Sequence, residues 1–245
     1  MGIGFAVPIN LTEFVVKELK SKGKVERGWI GLKIQPNTSD IADSLGQDEP
    51  YGVVISAVEE NSAAQKAGIE AGDIITALNG ETITDAKDFS RQIAETAPGS
   101  SVNLSVWRNR QQRQAKLQVM KMPEEKNISV QIPPAAEEKK SGAAYLSEIG
   151  VEAAEISPEI IQRYQLPDGQ SGLVITKVDS GSDAEIKGLR AGNLITQIDK
   201  KAVYDLNDLN TYLEEAKQEN MRPVLLLVYD RDLPHYAAIK LKKHD

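Results

Sequence analysis

Alternating and helical hydrophobic periodicities divide the chain into two stretches of the same design. In the first, Trp29–Ile34 alternates as a strand, a short helix is expected near Ser39 to Leu45, and Tyr51–Val58 reads as the next strand. Ser62 and Gln65 form a capping box that opens a short helix, and Gly68 supplies its left-handed stop. Asp73–Leu78 alternates again and ends on Asn79-Gly80, a strong hairpin signal. Ala86, Phe89 and Ile93, at i, i+3 and i+7, mark the apolar face of a longer helix, and Ser101–Arg108 with Ala115–Met120 close the set as two strands.

The same design returns at an offset of 120 residues: Gly52-Val53-Val54-Ile55 reads again as Gly172-Leu173-Val174-Ile175, and Ser62, Gly68, Gly72 and Asp85 reappear as Ser182, Gly188, Gly192 and Asp205. Ungapped self-similarity over 52–94 implies one folding unit used twice. The second copy caps its short helix with Ser182 and Glu185 and carries Leu206, Leu209 and Leu213 on its longer one. It closes with strands over Pro223–Tyr229 and Tyr236–Leu241. Asp199-Lys200 stands where the first copy has Asn79-Gly80, so its turn is the less well specified.

Two stretches lie outside the repeat. Residues 1–24 read as a strand, Gly2 to Pro8, followed by a helix from Leu11 to Lys20 capped by Asn10. Residues 123–142 are rich in Pro, Glu, Lys and Ala, with only Ile128, Val130 and Ile132 alternating, and are expected to tether two mobile units. The expected organisation is therefore 1–24, a remnant of another domain; 25–122, the first unit; 123–142, a flexible linker; and 143–245, the second unit.

Composition narrows the function classes. With 245 residues, 40% hydrophobic and 27% charged, the chain suits two small globular units, and no apolar run reaches membrane-spanning length. A net charge of -7, most of it in residues 123–245, argues against a nucleic-acid surface. Zero cysteines removes thiolate chemistry and disulfides. His235 and His244 are the only histidines, no Gly-x-Ser-x-Gly elbow accompanies them, and their spacing suits no metal, so neither a catalytic site nor a cofactor is expected.

Each repeat of strands, one short and one longer helix suits a small, partly open β-barrel or sandwich of the α+β class. Ser62-Ala63-Ala64-Gln65-Lys66-Ala67-Gly68, followed by Ala71-Gly72-Asp73-Ile74-Ile75 and Asn79-Gly80, resembles the PDZ domains of HtrA-type serine proteases, and Arg27-Gly28-Trp29-Ile30-Gly31-Leu32 stands where that family has its carboxylate-binding loop. Gly2 to Pro8 and the helix after it resemble the end of that family's protease domain, and two units resemble its tandem, Deg-type members. The resemblance implies a regulatory tandem of a periplasmic serine endopeptidase. Its partners would be C-terminal or extended segments of unfolded proteins, the upstream protease domain and other subunits of a homo-oligomer. The alternative it carries is a cage-assembly module with little peptide binding of its own.

Such a unit takes a peptide as an added strand on a sheet edge and holds the terminal carboxylate on a row of backbone amides. The expected first site is Arg27, Trp29, Ile30, Gly31, Leu32, Lys33 and Ile34 from the loop and strand, with Ala86, Phe89 and Ile93 from the helix. Arg27 either steers the carboxylate or is a solvated charge, Trp29 either rims the groove or packs on the preceding helix, and the helix stripe is either groove wall or core. The second set is Ile149, Gly150, Val151, Leu206, Leu209 and Leu213, where Glu148, Glu152 and Glu155 are expected to repel a carboxylate and leave an interface role.

Overall fold

The computed structural model describes residues 25–123, 142–166, 169–218 and 223–242, with the isolated positions 16, 19, 20 and 23 ahead of them. The strand expected over Gly2 to Pro8, most of the helix after it and the expected tether lie outside the described residues. In the first unit a short β1 (Gly28–Trp29) precedes β2 (Leu32–Pro36), α1 (Ser39–Ser44), β3 (Val53–Val58), α2 (Ala63–Lys66), β4 (Ile74–Leu78), β5 (Glu81–Thr82) and α3 (Ala86–Glu95), and the unit closes with β6 (Ser101–Arg108), β7 (Gln111–Gln118) and β8 (Met120–Lys121). The main sheet runs in the order β2-β3-β4-β6-β7 and leaves β2 at its rim, while β1 pairs with β8. The strand expected from Trp29 to Ile34 is thus split at Ile30-Gly31, because Gly31 turns left-handed there at φ +80°.

The second unit repeats this plan and adds a strand to the main sheet. It runs β9 (Ala143–Leu146), β10 (Val151–Glu155), α4 (Pro158–Tyr164), β11 (Leu173–Val178), α5 (Asp183–Ile186), β12 (Leu194–Ile198), β13 (Lys201–Ala202), α6 (Leu206–Gln218), β14 (Val224–Asp230) and β15 (Leu233–Ile239). Its sheet order is β15-β14-β12-β11-β10-β9, so β10, the counterpart of β2, is paired on both sides. Bulges recur at matching places, between Lys33 and Ile34 and between Glu152 and Ala153. The Asp199-Lys200 turn equals the Asn79-Gly80 turn: φ is +49° and +66° against +52° and +89°. The Asp199 carboxylate accepts from the Leu225 amide at 3.0 Å, as the Asn79 side chain accepts from Asn103 at 2.9 Å, so a short acceptor side chain fixes either turn.

Each unit closes around its own core. Val53, Ile55, Ile75, Phe89, Ile93 and Leu104 lie in the first, and Leu146, Ile175, Ile195, Leu209, Leu213 and Leu226 in the second. A third cluster joins them: Ile41, Val54 and Ile74 pack with Val174, Leu194, Leu225, Leu227, Tyr229 and Tyr236. β3 and β14 are accordingly buried on both faces, and this explains why Val224–Tyr229 is apolar at every position instead of alternating. Polar contacts frame the seam. Gln35 donates to the Tyr236 carbonyl at 3.0 Å and accepts from the Tyr236 amide at 2.7 Å, and Asp40 pairs with Lys187 and Lys240. The two units are therefore packed on one another through this cluster.

One buried charge in the first unit is met in full. Asp73 is 0% exposed, and Arg108 clasps its carboxylate with Nε and Nη2, each at 2.6 Å, while Glu70 and the Gly68 carbonyl take the remaining donors. In the second unit the matching positions are Asn193 and Asp230, one step beyond the paired Leu194 and Tyr229, so an Asp at 193 would face like charge. The neutral Asn193 keeps only the bond the two share: it accepts from the Arg190 amide at 2.9 Å, as Asp73 does from the Glu70 amide at 2.9 Å.

Arg108→Ala leaves the Asp73 carboxylate buried without its cation and is expected to cost about 3–5 kcal/mol in urea unfolding. The hydrogen bond from Lys187, followed in weight by the opposing effect of burial and then the bond from Lys240, holds the Asp40 carboxyl below its ordinary 3.8. A depressed carboxyl stabilises above its unfolded value and stops doing so as pH falls through its folded one. The difference in urea midpoint between the parent and Asp40→Asn is therefore expected to be full at neutral pH and to shrink below about pH 4.

Candidate functional site

The first unit carries a cavity of about 510 Å³ between β2 and α3. Arg27, Trp29, Ile30, Gly31, Leu32, Lys33 and Ile34 line it on one side, and Phe89, Ser90, Ile93 and Ala94 on the other, with Glu59, Glu60 and Met122 at its margin. Nine of the ten residues expected from sequence meet here. The tenth, Ala86, is absent from this lining and packs against the core: it is the first residue of α3, one turn before Ser90 on the same stripe, and the cavity lies beside the later turns. Phe89 and Ile93 are 2% and 5% exposed, so they serve core and cavity wall together.

Two glycines set the shape of this groove. A Cβ on Gly31 would stand 2.1 Å from Ser62 Cβ, so the loop can rest on the start of α2 only without a side chain. A Cβ on Gly28 would lie 2.3 Å from the Ile93 carbonyl oxygen and 2.4 Å from that of Thr96, so glycine also permits β1 to approach the end of α3. Gly28 was not among the sequence-derived site residues, although it stands inside the quoted motif, because close backbone approach leaves no mark on hydrophobic periodicity.

The loop is oriented from behind. The Ile30 carbonyl accepts from Ala64 N at 3.0 Å and the Gly31 carbonyl from Glu59 N at 2.9 Å. In a trans peptide the N–H opposes the C=O, so the amides of Gly31 and Leu32 point away from those donors and toward the cavity. Beyond them, β2 presents the outer edge of the sheet. Lys33 lines the cavity but sends its ammonium to the Asp232 carbonyl of the second unit at 2.9 Å, so its part in the groove is its backbone. Arg27 is exposed and Trp29 half-buried at the rim.

In the second unit the counterpart of Gly31 is Gly150: its carbonyl accepts from Asp179 N at 2.9 Å, and a Cβ on it would stand 2.9 Å from Ser182 Cβ. Ile149, Val151, Leu209 and Leu213 are each no more than 1% exposed and belong to its core, with Leu206 packed against it. β9 lies along β10 and touches α6, so the second set of residues surrounds a strand of the chain itself. Glu148 does not present an unpaired charge: burial pushes its carboxyl up, but the Lys217 ammonium at 2.8 Å, its own backbone amide and the Ser147 side chain together hold it below the usual range. Among the described residues no group of three His, Asp or Glu side chains has the placement to hold a metal ion.

Comparison with known proteins places this geometry. One family profile described as PDZ domain matches residues 28–119, and a second with the same description matches 174–226. A probable periplasmic serine endoprotease, DegP-like, from Brucella suis is 35% identical over 243 residues, covering 99% of this chain and 45% of that protein. Its namesake from Bartonella henselae is 36% identical over 247 residues, covering 99% of this chain and 46% of that protein. The chain spans about half the length of the curated relatives it matches. A solved structure of the HtrA-type protease AlgW with decapeptide is 32% identical over 51% of this chain and 38% of that one, with a TM-score of 0.46. No helix among the described residues is long and apolar enough to cross a membrane.

The loop geometry separates strain from collision. Gly68 has a similar φ of +72° but nothing within 4 Å of an added Cβ, whereas Gly31 meets Ser62. Gly68→Ala is expected to cost about 1–2 kcal/mol from backbone strain alone. Gly31→Ala adds a steric cost and is expected to exceed it by about 1–3 kcal/mol, as read by urea unfolding of the two variants side by side.

Proposed function

We propose, on the premise that this chain belongs to the PDZ domain family and matches the C-terminal region of DegP-like periplasmic serine endoproteases, that its first groove captures apolar C-termini of unfolded proteins for such a protease. The observation that carries this reading is the meeting, at one loop, of a strand edge without a partner among the described residues, an apolar pocket and two outward amides. An extended tail adds to β2 through main-chain hydrogen bonds, its last side chain enters among Ile30, Phe89 and Ile93, and its carboxylate meets the Gly31 and Leu32 amides. Arg27 at the rim steers the same carboxylate. The units span 25–122 and 143–245, and the protein acts in the periplasm, where its curated relatives are named as acting.

Capture of this kind requires no chemistry from the chain itself. Proteolysis belongs to a serine endopeptidase domain in the whole protein, which the tandem supplies with substrate or activates. A second role, contact between subunits, is the alternative reading of the same tandem. Sedimentation over a range of concentrations, without peptide, measures that role separately.

A short peptide ending in Val, Leu or Phe is expected to bind the chain at roughly micromolar strength, about -8 kcal/mol. Amidating its terminal carboxyl removes the charge-assisted bonds to the loop and is expected to weaken binding about tenfold or more. Calorimetric titration of both peptides checks this, and equal affinities would remove the carboxylate from the mechanism. Phe89→Ala opens the pocket floor and is expected to lower affinity for the free-acid peptide while also costing about 3–5 kcal/mol of stability.

A further inference from the structure

The strand lodged in the second groove has the features of a bound ligand. β9 runs antiparallel to β10, with Leu146 opposite Val151, Tyr145 opposite Glu152, Ala144 opposite Ala153 and Ala143 opposite Ala154. Its last side chain, Leu146, is 1% exposed and shares a cluster with Leu209 and Leu213 of α6. The Leu146 carbonyl accepts from the loop amides of Gly150 at 2.9 Å and Ile149 at 3.3 Å. Gly150 is the counterpart of Gly31, so the amide turned to the cavity in the first unit holds a carbonyl oxygen here. At the far end the Gly142 carbonyl accepts from Glu155 N at 3.0 Å.

Side chains fasten this strand as well. Tyr145 donates its hydroxyl to Asp179 at 2.5 Å, and Lys242 approaches the same carboxylate at 3.4 Å. The chain then leaves through Ser147 to Glu148, which Lys217 of α6 ties to the helix. The loop amides are spent on a neutral, internal carbonyl, and Leu146 and Glu148 occupy the places of Arg27 and Trp29.

Taking as given that the first groove works by strand addition, we propose that the second groove is a site for internal extended segments, with residues 143–146 as its resident ligand. The resident strand also states the chemistry selected: small side chains along the edge, Leu at the loop end, and a peptide carbonyl in place of a free carboxylate. An external segment enters only when the resident strand leaves, so the two grooves of one chain differ in both ligand class and accessibility.

The test uses the whole chain and two photo-crosslinking peptides, Ala-Ala-Tyr-Leu-Ser with an amidated end and an apolar peptide with a free carboxyl, with adducts mapped by mass spectrometry. In the parent chain the second groove is expected to take neither peptide, and the Ala144 and Leu146 amides within 144–146, which face β10, to exchange at least about tenfold slower than those of the exposed Asn109-Arg110 turn. Leu146→Asp is expected to open the groove, so that the amidated peptide labels 149–155 and 206–213. Tyr145→Phe removes only the fastening to Asp179 and is expected to speed exchange across 144–146 with the fold intact, which keeps the test open where Leu146→Asp disturbs the core. Equal labelling of the second groove in parent and variants, or exchange at 144–146 as fast as in the turn, overturns the proposal. Loss of free-carboxyl labelling at 28–34 alone overturns the first-groove reading and leaves this one standing.

Discussion

A strand at the rim of a sheet carries a row of amides and carbonyls without partners, and each has to be met by water, by another segment or by a ligand. The strand after the glycine loop stands at that rim in the first unit and is covered in the second. Among the described residues the first leaves β2 with its outer edge open, and the second lays β9 along β10. The rest of the site follows from this choice. The loop carbonyls are tied back at Glu59 and Ala64, or at Asp179, so that the amides face the edge, and a long helix stands across the gap to wall off an apolar trough. One scaffold thereby yields a groove that receives and a groove that is filled.

Most of the scaffold was legible in the sequence because it rests on local signals. Ser62 caps α2 by accepting from Gln65, Asp85 caps α3 by accepting from Lys87, and Ser182 does for α5 what Ser62 does for α2. Phe89 and Ile93 were legible as a buried stripe, and the loop residues as a motif. Ala86, on the same stripe, stands outside the cavity lining, because periodicity fixes which face of a helix is apolar but not how far along that face a cavity reaches. β9 went unread because Ala143-Ala144-Tyr145-Leu146 is short and carries little alternation; its pairing is decided by the edge it finds.

The packing of the units on one another had a signal that alternation alone overlooks. A strand with one dry face alternates, whereas Val53-Val54-Ile55 and Val224 to Tyr229 do not, since Val54, Leu225, Leu227 and Tyr229 are buried in the shared cluster and their neighbours in the separate cores. The exchange of Asp73 for Asn193 was visible as a departure between the copies, but its reason required the fold. Only strand register places Arg108 beside one and Asp230 next to the other. Both observations make the divergence of the copies a matter of partners: each change in one residue is answered by a change across a strand or a seam.

Burial of β14 on both faces has a consequence for the chain before it folds. Val224-Leu225-Leu226-Leu227-Val228-Tyr229 is a run of six apolar residues without charge, proline or glycine, which is the composition that associates into cross-β stacks when it is exposed. Pro223 on one side and Asp230, Arg231 and Asp232 on the other bracket it with a residue that cannot extend a ladder and with charges that repel self-stacking. The same seam that joins the two units is therefore the segment a chaperone-poor environment exposes to aggregation, and the flanking residues act as its gatekeepers.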